Sequence, residues 1–159
     1  MSRAPTIESV FGAKSKRPVH VETRPAATGS FGLVADARKE SERVEISLSH
    51  PPATNNLYFN VAGRGRVRSD RYNQWLDESA WQIAGQRPGR IAGKFVAEIT
   101  IHRPDNRRRD LDGLLKPLLD CCVKNRIVSD DSLAEKITMQ WASGGEGCRL
   151  VLTRFNEAA

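Results

Sequence analysis

The sequence predicts a mixed fold of the α/β (α+β) class, in which helices pack on a β-sheet of mixed strand direction. Segments with the period-2 alternation of strands are interleaved with two segments that show the 3.6-residue period of helices. Their order along the chain is β-α-β-α-β-β, without an internal repeat. An order in which strands and helices alternate and two successive strands follow is typical of a mixed sheet, because parallel neighbours need a crossover and antiparallel neighbours need only a turn.

Residues 1–42 are predicted to form a flexible extension, and residues 43–156 a single domain. The extension mixes proline, glycine, serine and charges of both signs without sustained periodicity. Its first half is basic because of four residues: Lys14, Lys16, Arg17 and Arg24. It is interpreted either as a source of non-specific phosphate contacts or as a solvated segment with no specific role.

The first predicted strand spans residues 44–48, in which apolar and polar side chains alternate. Pro51 and Pro52 end it, because neither can donate a hydrogen bond to a neighbouring strand. Residues 53–70 are predicted to be a flexible loop. It carries three arginines in a glycine-rich context, namely Arg64, Arg66 and Arg68. Such a loop is suited to phosphate contacts, and a plain solvated loop is the alternative.

A helix is predicted to follow, with Ser69 or Asp70 as its N-cap and Gly85 as its terminator. Its apolar positions recur with the helical period at Tyr72, Trp75, Leu76, Ala80, Ile83 and Ala84. Trp75 lies on this stripe and is predicted to be in the core, with Trp81 near its edge. Neither tryptophan is therefore interpreted as a base-stacking residue.

Residues 94–102 are predicted to form the central strand, with four apolar side chains on one face. A second helix is expected after Asp112, with a loose or kinked first turn caused by Pro117. Residues 136–141 alternate as another strand, and the glycine-rich linker 142–147 is a turn. Residues 148–155 are predicted to pair with the preceding strand as a hairpin.

The composition favours anionic partners. Lysine and arginine number 25 against 19 acidic residues, which gives a net charge of +6. No apolar run approaches the roughly 20 residues that span a bilayer, and the N-terminus lacks the apolar segment of a secretory signal. The chain is therefore expected to be soluble and cytoplasmic, with no membrane partner. Its three cysteines lack metal-binding spacing and are expected to be reduced and partly buried.

The candidate chemistry lies in residues 101–131, where clustered arginines precede clustered carboxylates. Asp110 and Asp112 face the same way in an extended segment, and Lys116 follows one helical turn later. Asp131 comes from a separate loop that would have to fold back. Close carboxylates favour a hard divalent cation such as Mg²⁺ or Mn²⁺, which can activate water and stabilise charge on a phosphate. Three further candidates for phosphate contacts are Arg107, Arg108 and Arg109.

On spacing alone, several of the acidic residues could equally serve a purely structural role. Asp112 precedes an apolar run and could be a helix N-cap. Asp130 and Asp131 could belong to an exposed turn or cap the segment that follows. Asp120 lies four residues after Lys116, so that a helical ion pair accounts for it.

The strings RDLDGLLKPLLD and IVSDD nevertheless closely resemble the signature of RusA-family Holliday junction resolvases. The stretch ISLSHPPATNNLYFNVAGRGRVRSD resembles the start of that family's domain, and the likeness runs from about Arg43 to Phe155. The resemblance implies a small homodimeric endonuclease with a RusA-like fold. Such enzymes bind four-way DNA junctions and, with Mg²⁺ or Mn²⁺, introduce paired nicks during recombination and repair. It also implies a bacterial or phage-encoded (prophage-encoded) protein.

The resemblance gives catalytic and metal-binding roles to Asp110, Asp112 and Asp131, and a catalytic role near the phosphate to Lys116. Asp130 matches an acidic neighbour and is a weaker candidate. Gly113 stands where the family often has asparagine, and the extension has no counterpart in the short family members. Two rival functions are a DNA-binding protein without catalysis, and a metal nuclease for flaps, forks or ordinary duplex.

Overall fold

The computed structural model describes residues 38–156 and has a mixed α+β fold. Two helices and six strands follow one another as β1 (Arg43–Leu48), β2 (Tyr58–Val61), β3 (Gly65–Arg68), α1 (Asp70–Gln86), β4 (Phe95–His102), α2 (Leu115–Lys124), β5 (Ala134–Ala142) and β6 (Cys148–Arg154). Three short 3-10 turns lie at Thr54–Asn56, Asp112–Leu114 and Asp131–Leu133. The predicted mixed sheet with helices packed on it is present, and the order of elements differs by two additional strands.

The main sheet has four strands in the order β1-β6-β4-β5. Strand β4 is parallel to β5 and antiparallel to β6, which is antiparallel to β1. Residues 94–102 therefore form an interior strand, as predicted. The predicted hairpin of the last two strands is wrong, because β4 lies between β5 and β6.

The linker between β5 and β6 crosses the end of β4 to reach the far side. The backbone N–H of His102 donates to the carbonyl of Gly147 at 2.9 Å. Gly145 passes so close that a Cβ placed on it would lie 2.9 Å from the His102 ring. The glycines that suggested a tight turn instead permit this close crossing, since they adopt positive φ angles of 70° at Gly144, 97° at Gly145 and 70° at Gly147.

The predicted arginine loop is in fact a two-stranded antiparallel hairpin, β2–β3, separate from the main sheet. Its register pairs Tyr58 with Arg68 and Phe59 with Val67. The alternation of large side chains is masked in the sequence by arginine and glycine, so that the loop prediction is wrong for the two strands. Gly63 and Gly65 supply the positive φ angles of the turn, 74° and 71°.

Helix α1 begins as predicted, with the Ser69 hydroxyl accepting a hydrogen bond from the backbone N–H of Tyr72 at 3.2 Å. Its predicted end at Gly85 is wrong, because the helix continues to Gln86 and Arg87 adopts the left-handed conformation. Ala84 was expected on the buried stripe and is exposed. The other apolar side chains of the stripe pack on one face of the sheet, with Tyr72, Trp75, Leu76 and Ile83 all buried.

The core between the helices and the sheet also contains the three cysteines, which are buried and unpaired. The prediction of reduced thiols fits this environment, since burial raises the pKa of Cys121 to about 11. Within residues 38–156, no helix is long and apolar enough to cross a membrane.

The predicted extension lies largely outside the described residues, which begin at Arg38. Residues 38–42 already contact the loop before β4: the backbone N–H of Ser41 donates to the carbonyl of Arg90 at 2.9 Å, and that of Arg90 to Lys39 at 3.0 Å. The division of the chain at residue 42 stays a prediction.

Candidate active site

A polar cleft lies where the segments after β1 and β4 meet. Because these two strands run in the same direction, both segments leave the sheet at the same edge. The Thr54 hydroxyl donates to the carbonyl of Gly113 at 2.7 Å and ties the two segments together. The cleft has a volume of about 280 Å³, and its charged lining consists of Arg71, Arg108, Arg109 and Asp110. Arg71 reaches the cleft from the first turn of α1, although no motif in the sequence distinguishes it from other exposed arginines.

Asp110 and Asp112 lie on the exposed segment that leads into α2. Asp112 opens the 3-10 turn, and its carboxylate accepts a hydrogen bond from the backbone N–H of Gly113 at 2.9 Å. The N-cap of α2 is Leu114, so that Asp112 is not the N-cap of this helix. Pro117 lies in the first turn, where no intrahelical donor is required. The loose entry predicted for this helix is therefore confirmed, and the carboxylate of Asp112 is not used to cap it.

The acidic pair before β5 divides into two different environments. Asp130 caps the short turn, since its carboxylate accepts from the backbone N–H of Ser132 at 2.9 Å. Hydrogen bonds from the Ser132 hydroxyl, and secondly from this N–H, lower the pKa of Asp130. Asp131 is exposed, and the turn it opens packs against α2. Its charge also contributes to raising the pKa of Lys116. The cap explanation thus holds for Asp130 and leaves the Asp131 side chain available.

Lys116 is tied to the protein by a carboxylate one helical turn away. Its ammonium donates to Oδ1 of Asp120 at 3.1 Å, and this hydrogen bond is the main cause of the raised pKa of Lys116. The other oxygen of Asp120 accepts from the hydroxyl of Tyr72 at 2.9 Å. The helical pair expected from spacing is confirmed. The buried tyrosine behind it could not be foreseen, because Tyr72 lies 48 residues away in sequence.

The predicted metal ligands have suitable chemistry but are not gathered into a ready-made cage. In the part of the chain that the structure describes, no three acidic, histidine or cysteine side chains lie close enough to hold one metal ion as they stand. Carboxylate oxygens are the donors that Mg²⁺ and Mn²⁺ prefer. Asp110, Asp112 and Asp131 are all exposed, so that their side chains can change rotamer at little cost. Their metal-binding role stays a prediction.

The basic face of the β2–β3 hairpin lies against two aromatic rings, those of Tyr58 and Tyr72. Pairing in the hairpin places Tyr58, Asn60, Arg66 and Arg68 on one face. The Arg66 guanidinium lies 4.6 Å from the centre of the Tyr58 ring, and that of Arg68 lies 5.9 Å from the Tyr72 ring. Arg64 is exposed in the turn. The hairpin therefore presents arginines held by cation–π contacts next to the hydrogen bonds that link Lys116, Asp120 and Tyr72.

The three arginines before Asp110 differ in their surroundings. Arg109 forms an ion pair with Asp105 at 2.7 Å, and the backbone N–H of Arg107 donates to the same carboxylate at 3.0 Å. These contacts lower the pKa of Asp105. Arg108 lines the cleft. The carboxylate of Asp105 therefore offsets part of the positive charge that the sequence suggested here.

The protein is thus a small α+β domain in which a basic hairpin, exposed carboxylates and a tethered lysine accompany a mixed four-stranded sheet. The family model described as endodeoxyribonuclease RusA matches residues 49–153. The chain belongs to the RusA family, which confirms the resemblance drawn from its motifs.

Curated relatives with the name crossover junction endodeoxyribonuclease RusA occur in bacteria and in a phage. The protein of Aquifex aeolicus (strain VF5) is 30% identical over 96 residues, which cover 59% of this chain and 76% of the relative. That of Enterobacteria phage 82 is 31% identical over 109 residues, covering 68% of this chain and 90% of the relative. That of Escherichia coli (strain K12) is 30% identical over 114 residues, with the same two coverages of 68% and 90%.

Proposed function

We propose that this protein is a Holliday junction resolvase, a metal-dependent endonuclease that cuts four-way DNA junctions. The observation that carries the proposal is the position of Lys116, which is tethered to Asp120 within electrostatic range of the exposed Asp131 and next to a hairpin that presents arginines. Acidic side chains that face a phosphate backbone weaken simple binding. Carboxylates among so many basic groups are accounted for if they hold a cation that acts on the phosphate.

Asp110, Asp112 and Asp131 are the proposed ligands of Mg²⁺ or Mn²⁺. When bound, such a cation lowers the pKa of a coordinated water and offsets charge on the scissile phosphate. Lys116 keeps its proton, since its neighbours raise its pKa, and therefore serves as a fixed positive charge for a phosphate oxygen. Proposed contacts to the flanking phosphates come from Arg64, Arg66, Arg68, Arg107, Arg108 and Arg109.

The test is cleavage of a synthetic four-way junction by the wild type and by Asp112→Asn, in Mg²⁺ and in EDTA. Loss of one ligand is expected to cost several kcal/mol of transition-state stabilisation, which corresponds to a rate reduction of about 100-fold or more. Asp130→Asn is the matched control, because this carboxylate caps a turn. It is expected to retain most of the activity.

Unchanged nicking by Asp112→Asn, or by the wild type in EDTA, would contradict the proposed site. Junction binding without any metal-dependent product would favour the rival of a non-catalytic DNA-binding protein. Competition among junction, flap, fork and duplex DNA at physiological salt distinguishes a resolvase from a nuclease for other branched structures.

We also propose that the active form is a homodimer. A four-way junction has approximate two-fold symmetry, and symmetric nicks need two active sites related by a matching axis. Light scattering is expected to give twice the 17.7 kDa mass of the chain. On a plasmid with an extruded cruciform, the main product is expected to be linear DNA from paired nicks. A monomer that yields only nicked circles would contradict this part of the proposal.

A further inference from the structure

Asp120 connects the protein core to Lys116 through both of its carboxylate oxygens. Oδ2 accepts from the hydroxyl of Tyr72 at 2.9 Å, and Oδ1 accepts from the ammonium of Lys116 at 3.1 Å. Tyr72 is completely buried on α1, and its ring stacks on Trp75 with 6.4 Å between centres. The donor on the core side is therefore immobile, and it fixes the carboxylate that Lys116 meets from the solvent side.

Stabilisation of α2 is a weak explanation for this ion pair. Pairs spaced by four residues stabilise a helix best when the acidic residue comes first, and here Lys116 precedes Asp120. The side chain of Lys116 is 50% exposed, and such pairs contribute only a fraction of a kcal/mol to folding. The need to satisfy the buried hydroxyl of Tyr72 explains one oxygen of Asp120. It does not explain why the lysine is held by the other.

Holding the ammonium in place has a direct use in catalysis. A lysine side chain has about 2 kcal/mol of rotamer entropy, part of which is lost when its ammonium binds a phosphate. A lysine that is already oriented loses less rotamer entropy on binding the phosphate. This saving increases the cleavage rate if the contact forms at the transition state.

We infer that Asp120 is a positioning residue that holds the Lys116 ammonium beside the carboxylates of the active site, with Tyr72 as its anchor in the core. The inference rests on the proposed function, in which Lys116 acts on the phosphate. The contact of Arg68 with the Tyr72 ring, at 5.9 Å, places the basic hairpin on the same anchor.

The first experiment is a double-mutant cycle on single-turnover cleavage of a four-way junction in Mg²⁺. Asp120→Asn keeps the side-chain size and an oxygen that can accept from Tyr72. It is expected to slow cleavage about 10-fold, and Lys116→Ala about 100-fold, which is typical for loss of a group that stabilises transition-state charge. The double variant is expected to match Lys116→Ala, because the two residues act as one unit. Junction binding in EDTA is expected to be no weaker in Asp120→Asn, since the lysine keeps its charge and one negative charge is removed, so that a slower single-turnover rate does not reflect lost binding.

The matched control is Asp77→Asn. Asp77 of α1 and Lys124 of α2 form another exposed Lys–Asp ion pair, with 3.3 Å between charged atoms. Its loss is expected to leave the cleavage rate unchanged. A wild-type rate in Asp120→Asn, or the same 10-fold loss in the Lys116→Ala background, would overturn the positioning role. If Asp120→Asn is unfolded at the assay temperature, Tyr72→Phe is measured in its place. This variant is expected to lose less of the cleavage rate than Asp120→Asn, and the loss is expected to disappear in the Lys116→Ala background.

A second readout needs neither DNA nor activity. Acetylation of each lysine by a trace of acetic anhydride, followed by mass spectrometry, reports how firmly each ammonium is held. Lys116 is expected to react several-fold faster in Asp120→Asn than in the wild type, with Lys136 as the internal reference. A wild type that cuts no junction while Lys116 shows this change would contradict the proposed function and leave the tether established. Unchanged Lys116 reactivity would overturn the tether itself.

Discussion

Individual charges around the cleft act in pairs, so that the number of arginines overstates the positive potential there. Arg109 was expected to contact phosphate, yet it lies 2.7 Å from Asp105, whose charge it balances. Arg108 lines the cleft from the next position along the chain. Asp105 is visible in the sequence, but the choice of Arg109 as its partner depends on the irregular path of residues 103–109. No periodic pattern specifies that path.

Asp105→Asn is expected to tighten junction binding several-fold at low salt, because it removes a negative charge and releases Arg109. One additional phosphate contact would steepen the dependence of log K on log salt concentration by about 0.9. Fluorescence anisotropy in EDTA over a range of salt concentrations measures both quantities. Glu42→Gln is the matched control, since it removes the same charge and releases Arg154 from an ion pair of 3.2 Å at the opposite end of the sheet. Equal tightening in both variants would indicate a general effect of net charge.

Among the elements, helix α1 shows where local signals are sufficient and where they conflict. Its start was predictable because the Ser69 cap and the apolar period agree. Its end was not, because the glycine signal at Gly85 competes with Pro88. A residue before proline disfavours the right-handed helical conformation, and Arg87 adopts a φ of 48° instead. The proline therefore decides the end of the helix, and a non-glycine residue bears the strain.

Arg87→Gly is expected to raise the free energy of unfolding by about 0.5–1 kcal/mol. Relief of left-handed strain contributes about 1–2 kcal/mol, and the greater freedom of glycine in the unfolded chain offsets part of it. Urea denaturation measures the change. Gly85→Ala gives a complementary test: Gly85 is helical with open space around its Cβ position, so that alanine is expected to stabilise by up to about 1 kcal/mol. Destabilisation by Gly85→Ala would restore Gly85 as the helix terminator.

At the scale of the whole molecule, the class of fold could be predicted and the contiguous acidic motif could be identified as a candidate site, whereas the connections of its residues in space could not. The motif around Asp110, Asp112 and Lys116 is contiguous, so that spacing and family likeness both report it. The link from Lys116 to the core passes through Tyr72, which belongs to another element. The position of β6 likewise depends on a crossover. After α2 the chain returns so that β5 runs parallel to β4, and β6 then pairs with the opposite side of β4. A glycine-rich segment predicts a turn, but it does not indicate whether the two strands that it connects pair with each other.

The close approach of Gly147 to the end of β1 has a measurable consequence for the stability of the whole sheet. A Cβ on Gly147 would overlap the carbonyl oxygen of Leu48 on strand β1, whereas Gly144 has open space around the equivalent position. Both glycines have a φ of 70°, so that alanine at either site carries the same left-handed strain of about 1–2 kcal/mol. Gly147→Ala is therefore expected to cost at least about 2 kcal/mol more than Gly144→Ala in urea unfolding, because backbone must move to relieve the overlap. Equal costs would contradict the close approach of Gly147 to the end of β1. A larger cost at Gly147 follows from the pairing of β1 with β6, because this glycine precedes Cys148, which lies opposite Leu48 and leaves no room for a side chain.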